Sequence, residues 1–397
     1  MKIALAHKQL DFRGGTERVF FQTALGLRDR GHEVHLFCQK FYVPAPAGVA
    51  THRIPGLARP RTARLLTFGV LAPLIIRQFH CEVVVSFDRL IKQDLFRSGG
   101  GPHKVFIEKM RQHGGPWKSL WYRLSPYHRL ALAIEKRQLG AAGSRRIVAV
   151  CEQTKREIVE TYGIAEKKVV VIHNGVDHER FNPRHRGVAG PRLRKQLGIP
   201  EDSRVVLFVG SGFRRKGLDR LLRIWRQPAV PNIYLVVVGN DVRLAAYKTA
   251  WSHEPRVLFT GPRSDVEEFY AAADLLVLPS IQEAFGNVVL EALATGLPVV
   301  SVKGVGALDK VDGDLRAGIL DNPDDREELE SKISWLLDPL RWPELSRQAR
   351  QLAEKYSWKT YIENFEAVLF ELREQAQHEH SAAPVTIPSF SDSHRIR

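Results

Sequence analysis

Short, mostly apolar runs alternate along this chain with longer stretches in which apolar positions recur every three or four residues. The runs at 3–6, 33–37, 82–86 and 146–150 have the length and composition of strands buried in a parallel sheet. Residues 16–30, entered through Gly14-Gly15 and closed by Gly31-His32, carry an amphipathic helical pattern. A second series starts with the run 204–210 and continues through 233–238, 256–260, 275–278 and 298–301. Helical patterns at 217–225, 264–273 and 286–295 separate some of these runs. Strands interleaved with helices build βαβ units. Two such series in 397 residues imply two cores rather than one.

The expected fold class is therefore α/β, two doubly wound parallel-sheet (Rossmann-like) domains, with ligands at the C-terminal ends of strands. The first domain is expected over 1–172 and a linker rich in Arg, Gly and Pro over 173–200. The second follows over 201–355, then a C-terminal helix over 356–377 that crosses back to the first domain. Residues 378–397 hold serines, prolines and histidines without periodicity and are expected to form a disordered tail.

Composition changes this picture in three places. Cys38, Cys81 and Cys151 are too few and too scattered for a disulfide framework or a metal site, which points to a reducing cytoplasm. The N-terminal apolar run ends too early for a signal peptide, and the stretch 65–76, broken by Thr67, Gly69 and Pro73, is too short to span a bilayer. Charge is lopsided. Residues 1–172 hold 29 Lys and Arg against 13 Asp and Glu, whereas the remainder holds 30 against 31. A field concentrated on one domain attracts polyanions.

The sharpest chemical signal is the segment from Glu283 to Glu291, two carboxylates flanking Gly286 at the start of a helical pattern. A helix N-terminus offers free N–H groups and partial positive charge to a diphosphate, and carboxylates accept hydrogen bonds from sugar hydroxyls. A capped helix with two solvated glutamates would produce the same pattern.

This segment resembles the E-x7-E motif of retaining GT-B glycosyltransferases of glycosyltransferase family 4. Gly14-Gly15, His173-Asn174-Gly175-Val176-Asp177, Lys216-Gly217, Ala273-Asp274 and Leu278-Pro279-Ser280 match its landmarks in order. The resemblance implies a central cleft between the domains and a role for each matching position. Glu291 would hold the donor ribose and Glu283 the donor hexose, with Phe285, Gly286, Asn287 and Val288 offering N–H groups to hexose and phosphate. Arg215 and Lys216 would neutralise the leaving diphosphate in place of a divalent metal, so no metal or cofactor is expected. Ser211 stands where the family carries arginine after Gly210, leaving Arg215 to supply that charge. Gly14 and Gly15 would admit the donor phosphates close to backbone.

On the acceptor side, Asp88 and Arg89 follow a buried strand, and His103 follows the turn Gly99-Gly100-Gly101. The resemblance implies that His103 faces the anomeric carbon. Glu17 positions the acceptor or simply complements the helix dipole. Within the family the likeness runs to lipopolysaccharide-core glucosyltransferases that add glucose to inner-core heptose. It rests on Phe87-Asp88-Arg89, Asp94-Leu95-Phe96, Glu108-Lys109, Tyr122-Arg123-Leu124, Tyr127 and Phe213-Arg214-Arg215-Lys216-Gly217. Some members carry aspartate where Gly99–Gly101 stand.

The expected activity is retaining transfer of a hexose, glucose favoured, from a UDP-sugar to a glycolipid such as lipopolysaccharide-core heptose. A UDP-sugar 2-epimerase of the same fold and a non-catalytic basic membrane-binding protein are the alternatives. Residues 104–137 interleave Lys104, Lys109, Arg111, Lys118, Arg123, Arg129, Lys136 and Arg137 with Trp117, Trp121, Tyr122 and Tyr127. That mixture suits an anionic membrane surface, here the inner face of the cytoplasmic membrane, and no nucleic-acid signature accompanies it.

Overall fold

A computed structural model describes residues 1–12, 14–57, 59–140, 143–226 and 230–381. Two parallel sheets form two Rossmann-like domains. Across the first, the strands run Ala50–Arg53, Glu33–Cys38, Lys2–Ala6, Val83–Ser86, Leu95–Ser98, Arg146–Ala149 and Val169–Val171. Across the second they run Val257–Gly261, Ile233–Val238, Arg204–Val209, Leu275–Leu278, Val299–Val302 and Ile319–Leu320. Every pairing within these sheets is parallel.

Lys2–Ala6 is central, with Ile3 in register with both Val34 and Val83, and its residues from Ile3 onward are fully buried. A strand covered on both faces has no polar side to show, which explains the unbroken apolar run. Strand order reverses beside Lys2–Ala6, and again beside Arg204–Val209 in the second sheet. Such reversals leave a crevice at the C-terminal strand ends. His7 and Asp88 line the first crevice; Gly210 and Pro279-Ser280 follow the strands that flank the second.

Three parts of the chain depart from the sequence reading. Within the two large sheets the strands Ala50–Arg53, Leu95–Ser98, Val169–Val171 and Ile319–Leu320 add to the predicted elements, as do several helices, among them Arg61–Arg77, Pro126–Leu139 and Glu152–Tyr162. The stretch 173–200, expected as a linker, packs into the second core: Val176, Phe181, Leu193 and Ile199 are buried there. It includes the helix Ala189–Gln196, whose Arg194 donates to Ala272 O, Ser203 O and Asp274 Oδ2 at 2.7–3.0 Å. The final helix, Trp358–Ser381, runs past residue 377, and its Glu379 pairs with Arg145 at 2.8 Å. The rest of the expected tail, 382–397, lies outside the described residues.

That helix belongs to the first domain although it follows the second. Tyr361, Phe365, Leu369 and Leu372 are buried with Val19, Phe20 and Leu27, each such side chain contributing about 1.5–3 kcal/mol. Among the described residues no helix is long and apolar enough to cross a membrane.

Candidate functional site

The second domain builds its wall of the cleft from two glycine turns. Gly217, at φ +87°, ends the short helix Phe213–Lys216, and a Cβ there would sit 2.0 Å from Pro279 O. Only glycine brings this turn against the loop after Leu275–Leu278. Gly286, at φ +77°, opens the helix Asn287–Ala294. Lys216 Nζ donates to Glu283 Oε2 at 2.8 Å, and Arg215 Nη1 donates to Gln282 O at 3.0 Å. Burial alone would raise the Glu283 pKa. The Lys216 and Arg215 charges outweigh it and hold the carboxyl below its ordinary value, so it is ionised.

One turn into that helix, Glu291 is buried, accepting from Tyr270 Oη at 2.9 Å and, across the cleft, from Arg18 Nη1 at 2.5 Å. Asn287 Oδ1 accepts from Asn174 Nδ2 at 2.8 Å, and a Cβ on Gly15 would lie 2.8 Å from Asn287 Nδ2. The Gly14-Gly15 turn thus abuts the start of the helix that carries Glu291. Phe285 is buried against the rings of His173 and Tyr356, which also touch each other, and Val288, three residues on, is partly buried.

The first domain's wall is more highly charged. His7 is buried at the end of the central strand, its ring nitrogens 3.5 Å from Glu17 Oε1 and 3.8 Å from Asp88 Oδ2. Neither nitrogen makes a hydrogen bond of normal length. Lys8 Nζ stands 3.0 Å from Asp88 Oδ2. Burial would raise the Asp88 pKa, but Lys8, His7 and Arg89 hold it well below the carboxylate range. Glu17 is lowered in the same way, with burial opposed by the neighbouring His7 ring and then by Lys8. It folds back so far that a Cβ on Gly14 would strike its carboxylate.

Arg89 faces Glu135 at 3.7 Å, and Glu135 also accepts from the backbone N–H of His103 at 2.7 Å. The His103 ring shares a 2.9 Å hydrogen bond with His128 and stacks on Phe106. Burial, followed by Arg89 and His128, pushes its pKa down to about 3, leaving it neutral.

The structure gathers Arg215, Lys216 and Glu283 into one cluster and Gly15, Asn287 and Glu291 into another. Asp88 and Glu17 meet around His7. Arg89 and His103 share the neighbourhood of Glu135, and among the described residues no hydrogen bond or ion pair links His103 to Lys216 or Glu283. Its neighbour Gly101 does face the cleft, since a Cβ there would be 4.0 Å from Gln282 Nε2.

Sequence reasoning missed His7, Lys8, Arg18, Tyr270 and Arg97 as members of this region. Arg97 lies inside the strand Leu95–Ser98. It is buried, bonds Asn174 Oδ1 at 2.5 Å and lies over the Phe87 ring. An Arg97–Asn174–Asn287 chain therefore spans the two domains.

Two Rossmann-like domains closing on a cleft, with paired cations and a glycine-capped helix in one wall, define the class: a glycosyltransferase of the GT-B fold. Residues 13–180 match Glycosyltransferase Family 4 and residues 190–356 match Glycosyl transferases group 1, and the chain belongs to the glycosyltransferases assembled from these two domains. It is similar to the lipopolysaccharide glucosyltransferase WaaG of Escherichia coli, 26% identical over 87% of this chain and 92% of the relative. The crystal structure of WaaG, described as involved in lipopolysaccharide biosynthesis, superposes with a TM-score of 0.77 at 24% identity, over 96% of this chain and 100% of WaaG. Anabaena HepE, crystallised with UDP-glucose, follows at a TM-score of 0.67 and 18% identity, covering 94% and 100% of the two chains.

Proposed function

We propose that this protein transfers glucose, with retention, from UDP-glucose to a heptose of a membrane-anchored lipopolysaccharide core. The observation that carries this reading is the second-domain wall: Lys216 and Arg215 beside ionised Glu283, one glycine turn away from a helix that presents Glu291 to the first domain. The likeness to WaaG over nearly the whole chain supports the acceptor class, and the UDP-glucose complex of HepE supports the donor.

The diphosphate of the donor lies against the N-terminus of Asn287–Ala294, with Lys216 and Arg215 on its oxygens. Glu291 exchanges Arg18 for the ribose hydroxyls, and Glu283 accepts from the hexose. As the bond from the anomeric carbon to the phosphate oxygen breaks, its electron pair passes to the diphosphate, where the two cations stabilise it without a metal. The acceptor oxygen attacks on the same face, and its proton goes to the departing phosphate oxygen. Asp88, ionised and held by Lys8, receives a hydrogen bond from the acceptor hydroxyl, with Glu17 and Arg89 nearby; His103 stands behind them as a neutral ring. Domain closure excludes water from the breaking bond.

The acceptor is reached from the inner face of the cytoplasmic membrane. Pro116–Leu124 exposes Trp117, Leu120, Trp121 and Leu124 among basic residues, a mixture that partitions to an anionic interface.

The test is transfer from UDP-glucose to lipopolysaccharide core lacking this glucose, with and without a chelator, followed by NMR assignment of the new linkage. An α-linked glucose on heptose, formed equally with chelator present, is expected. Brisk hydrolysis of UDP-glucose without acceptor, or isomerisation of the nucleotide sugar alone, would sink the reading.

A further inference from the structure

A cavity of about 370 Å³ opens in the first domain between the ends of Lys2–Ala6, Glu33–Cys38 and Ala50–Arg53. Its walls carry Lys8, Lys40, Arg53 and Arg64, and no carboxylate lines it. Lys8 joins it to the cleft, because its Nζ already holds Asp88. The other three cations are different. Most basic side chains of the cleft are matched with an acid, as Lys216 is with Glu283 and Arg18 with Glu291. Among the described residues none forms an ion pair with Lys40, Arg53 or Arg64.

Like charges gathered around one concavity raise each other's energy, and a bound anion removes that cost. The cavity also keeps a neutral donor. Gln39 is buried in its wall, and its amide Nε2 makes only a long 3.4 Å contact with Thr67 Oγ1. A Cβ on Gly56 would come within 2.2 Å of that amide nitrogen, so the bare backbone at 56 leaves the Gln39 amide its place in the wall.

We propose that this cavity is an anion subsite holding a phosphate group carried by the acceptor saccharide. The sugar hydroxyl to be glycosylated lies at Asp88 while Lys40, Arg53, Arg64 and the Gln39 amide hold the phosphate. Guanidinium groups match phosphate oxygens in a bidentate fork, and a phosphate monoester carries nearly two negative charges at pH 7. The subsite deepens the transferase reading and rests on it for the identity of the acceptor.

The experiment measures binding and transfer separately on the full chain. The probes are deacylated core oligosaccharide with its phosphates and the same material dephosphorylated by hydrofluoric acid, which keeps its acidic sugars. Calorimetry should show the wild type binding the phosphorylated form about tenfold or more tightly than the other, the scale of one charge-assisted contact. The Arg53→Ala, Arg64→Ala double variant should bind both equally weakly while its UDP affinity stays within twofold, which also reports that it is folded. Equal binding of the two oligosaccharides by the wild type, or an undiminished preference in the variant, overturns the subsite. Sedimentation with phosphatidylglycerol vesicles should be the same for both proteins; its loss in the variant would assign these cations to lipid headgroups and overturn an acceptor site. Phosphate-dependent binding without any glucose transfer keeps the subsite and removes the transferase reading. Transfer with an unchanged acceptor KM in the variant does the reverse.

Discussion

The two walls of the cleft solve different problems with the same fold. In the second domain's wall the charges at the donor end are paired within the domain or just across the gap: Lys216 with Glu283 and Arg18 with Glu291. The first domain carries the excess charge of the whole chain, and part of it, at Lys40, Arg53 and Arg64, forms no ion pair among the described residues. In the proposed reaction the paired, glycine-tightened wall presents cations already held in place, and the Arg18–Glu291 pair gives way to the donor ribose. An unpaired wall waits for charge from outside, which suits an acceptor that differs from one enzyme to the next.

The largest effect expected from this contrast lies in the paired wall. Lys216→Ala removes a cation from the developing charge on the leaving diphosphate and strands ionised Glu283 in a buried site. Removal of one such group costs about 10²–10³ in kcat, measurable by UDP release in the presence of acceptor. A loss below tenfold would mean that Lys216 serves the fold rather than the reaction. Arg215, which gives one of its five N–H donors to Gln282 O, would then carry the diphosphate alone.

The contrast also explains what could be read before any coordinates. The second wall was legible because it is local: Glu283, Gly286 and Glu291 lie within nine residues, and a glycine before a helical pattern has a specific meaning. Both doubly wound sheets were legible for the same reason, as their central strands are uniformly apolar. Ala50–Arg53 was not, because it is an edge strand with alternating exposure and the polar sequence Ala-Thr-His-Arg. Leu95–Ser98 was hidden by Arg97, a charged residue buried inside a strand. The stretch 173–200 read as a linker from its Arg, Gly and Pro, yet those arginines cap carbonyls of the second domain. In the first wall, Glu17 and Asp88 were named from sequence, but His7 and Lys8, which hold them, come from a different strand end. Their meeting depends on which strands are neighbours, and that is a property of topology rather than of any short segment.

A smaller effect is expected in the first wall. Asp88→Asn keeps the shape but removes the charge that Lys8 pairs with and that the acceptor hydroxyl meets. A charge-assisted hydrogen bond is worth about 1.5–3 kcal/mol, so acceptor kcat/KM should fall by roughly 10- to 100-fold. Donor KM should hold within twofold, as measured by varying each substrate at saturation of the other. An equal rise in donor and acceptor KM would show that the two walls do not divide the substrates between them.

The smallest effect separates the walls by their titration. His103 is neutral in the folded protein with its pKa depressed to about 3, whereas an unfolded histidine titrates near 6.5. Between those values the unfolded chain binds the extra proton, so stability rises with pH. Its contribution is complete above about pH 6.5 and is lost progressively as the solution is acidified toward pH 3. His128, hydrogen-bonded to it and also depressed by burial and by Arg61, shifts the same way. Glu283 and Asp88 are depressed too, but as carboxylates they stay ionised in both states above about pH 5 and contribute a constant term there. Urea midpoints should therefore fall between pH 7.5 and pH 5, and the slope should flatten in a His103→Gln, His128→Gln double variant. An identical pH slope in wild type and histidine variant would place the titrating group elsewhere, with His178 of the second domain, lowered by burial and Arg350, the next to replace.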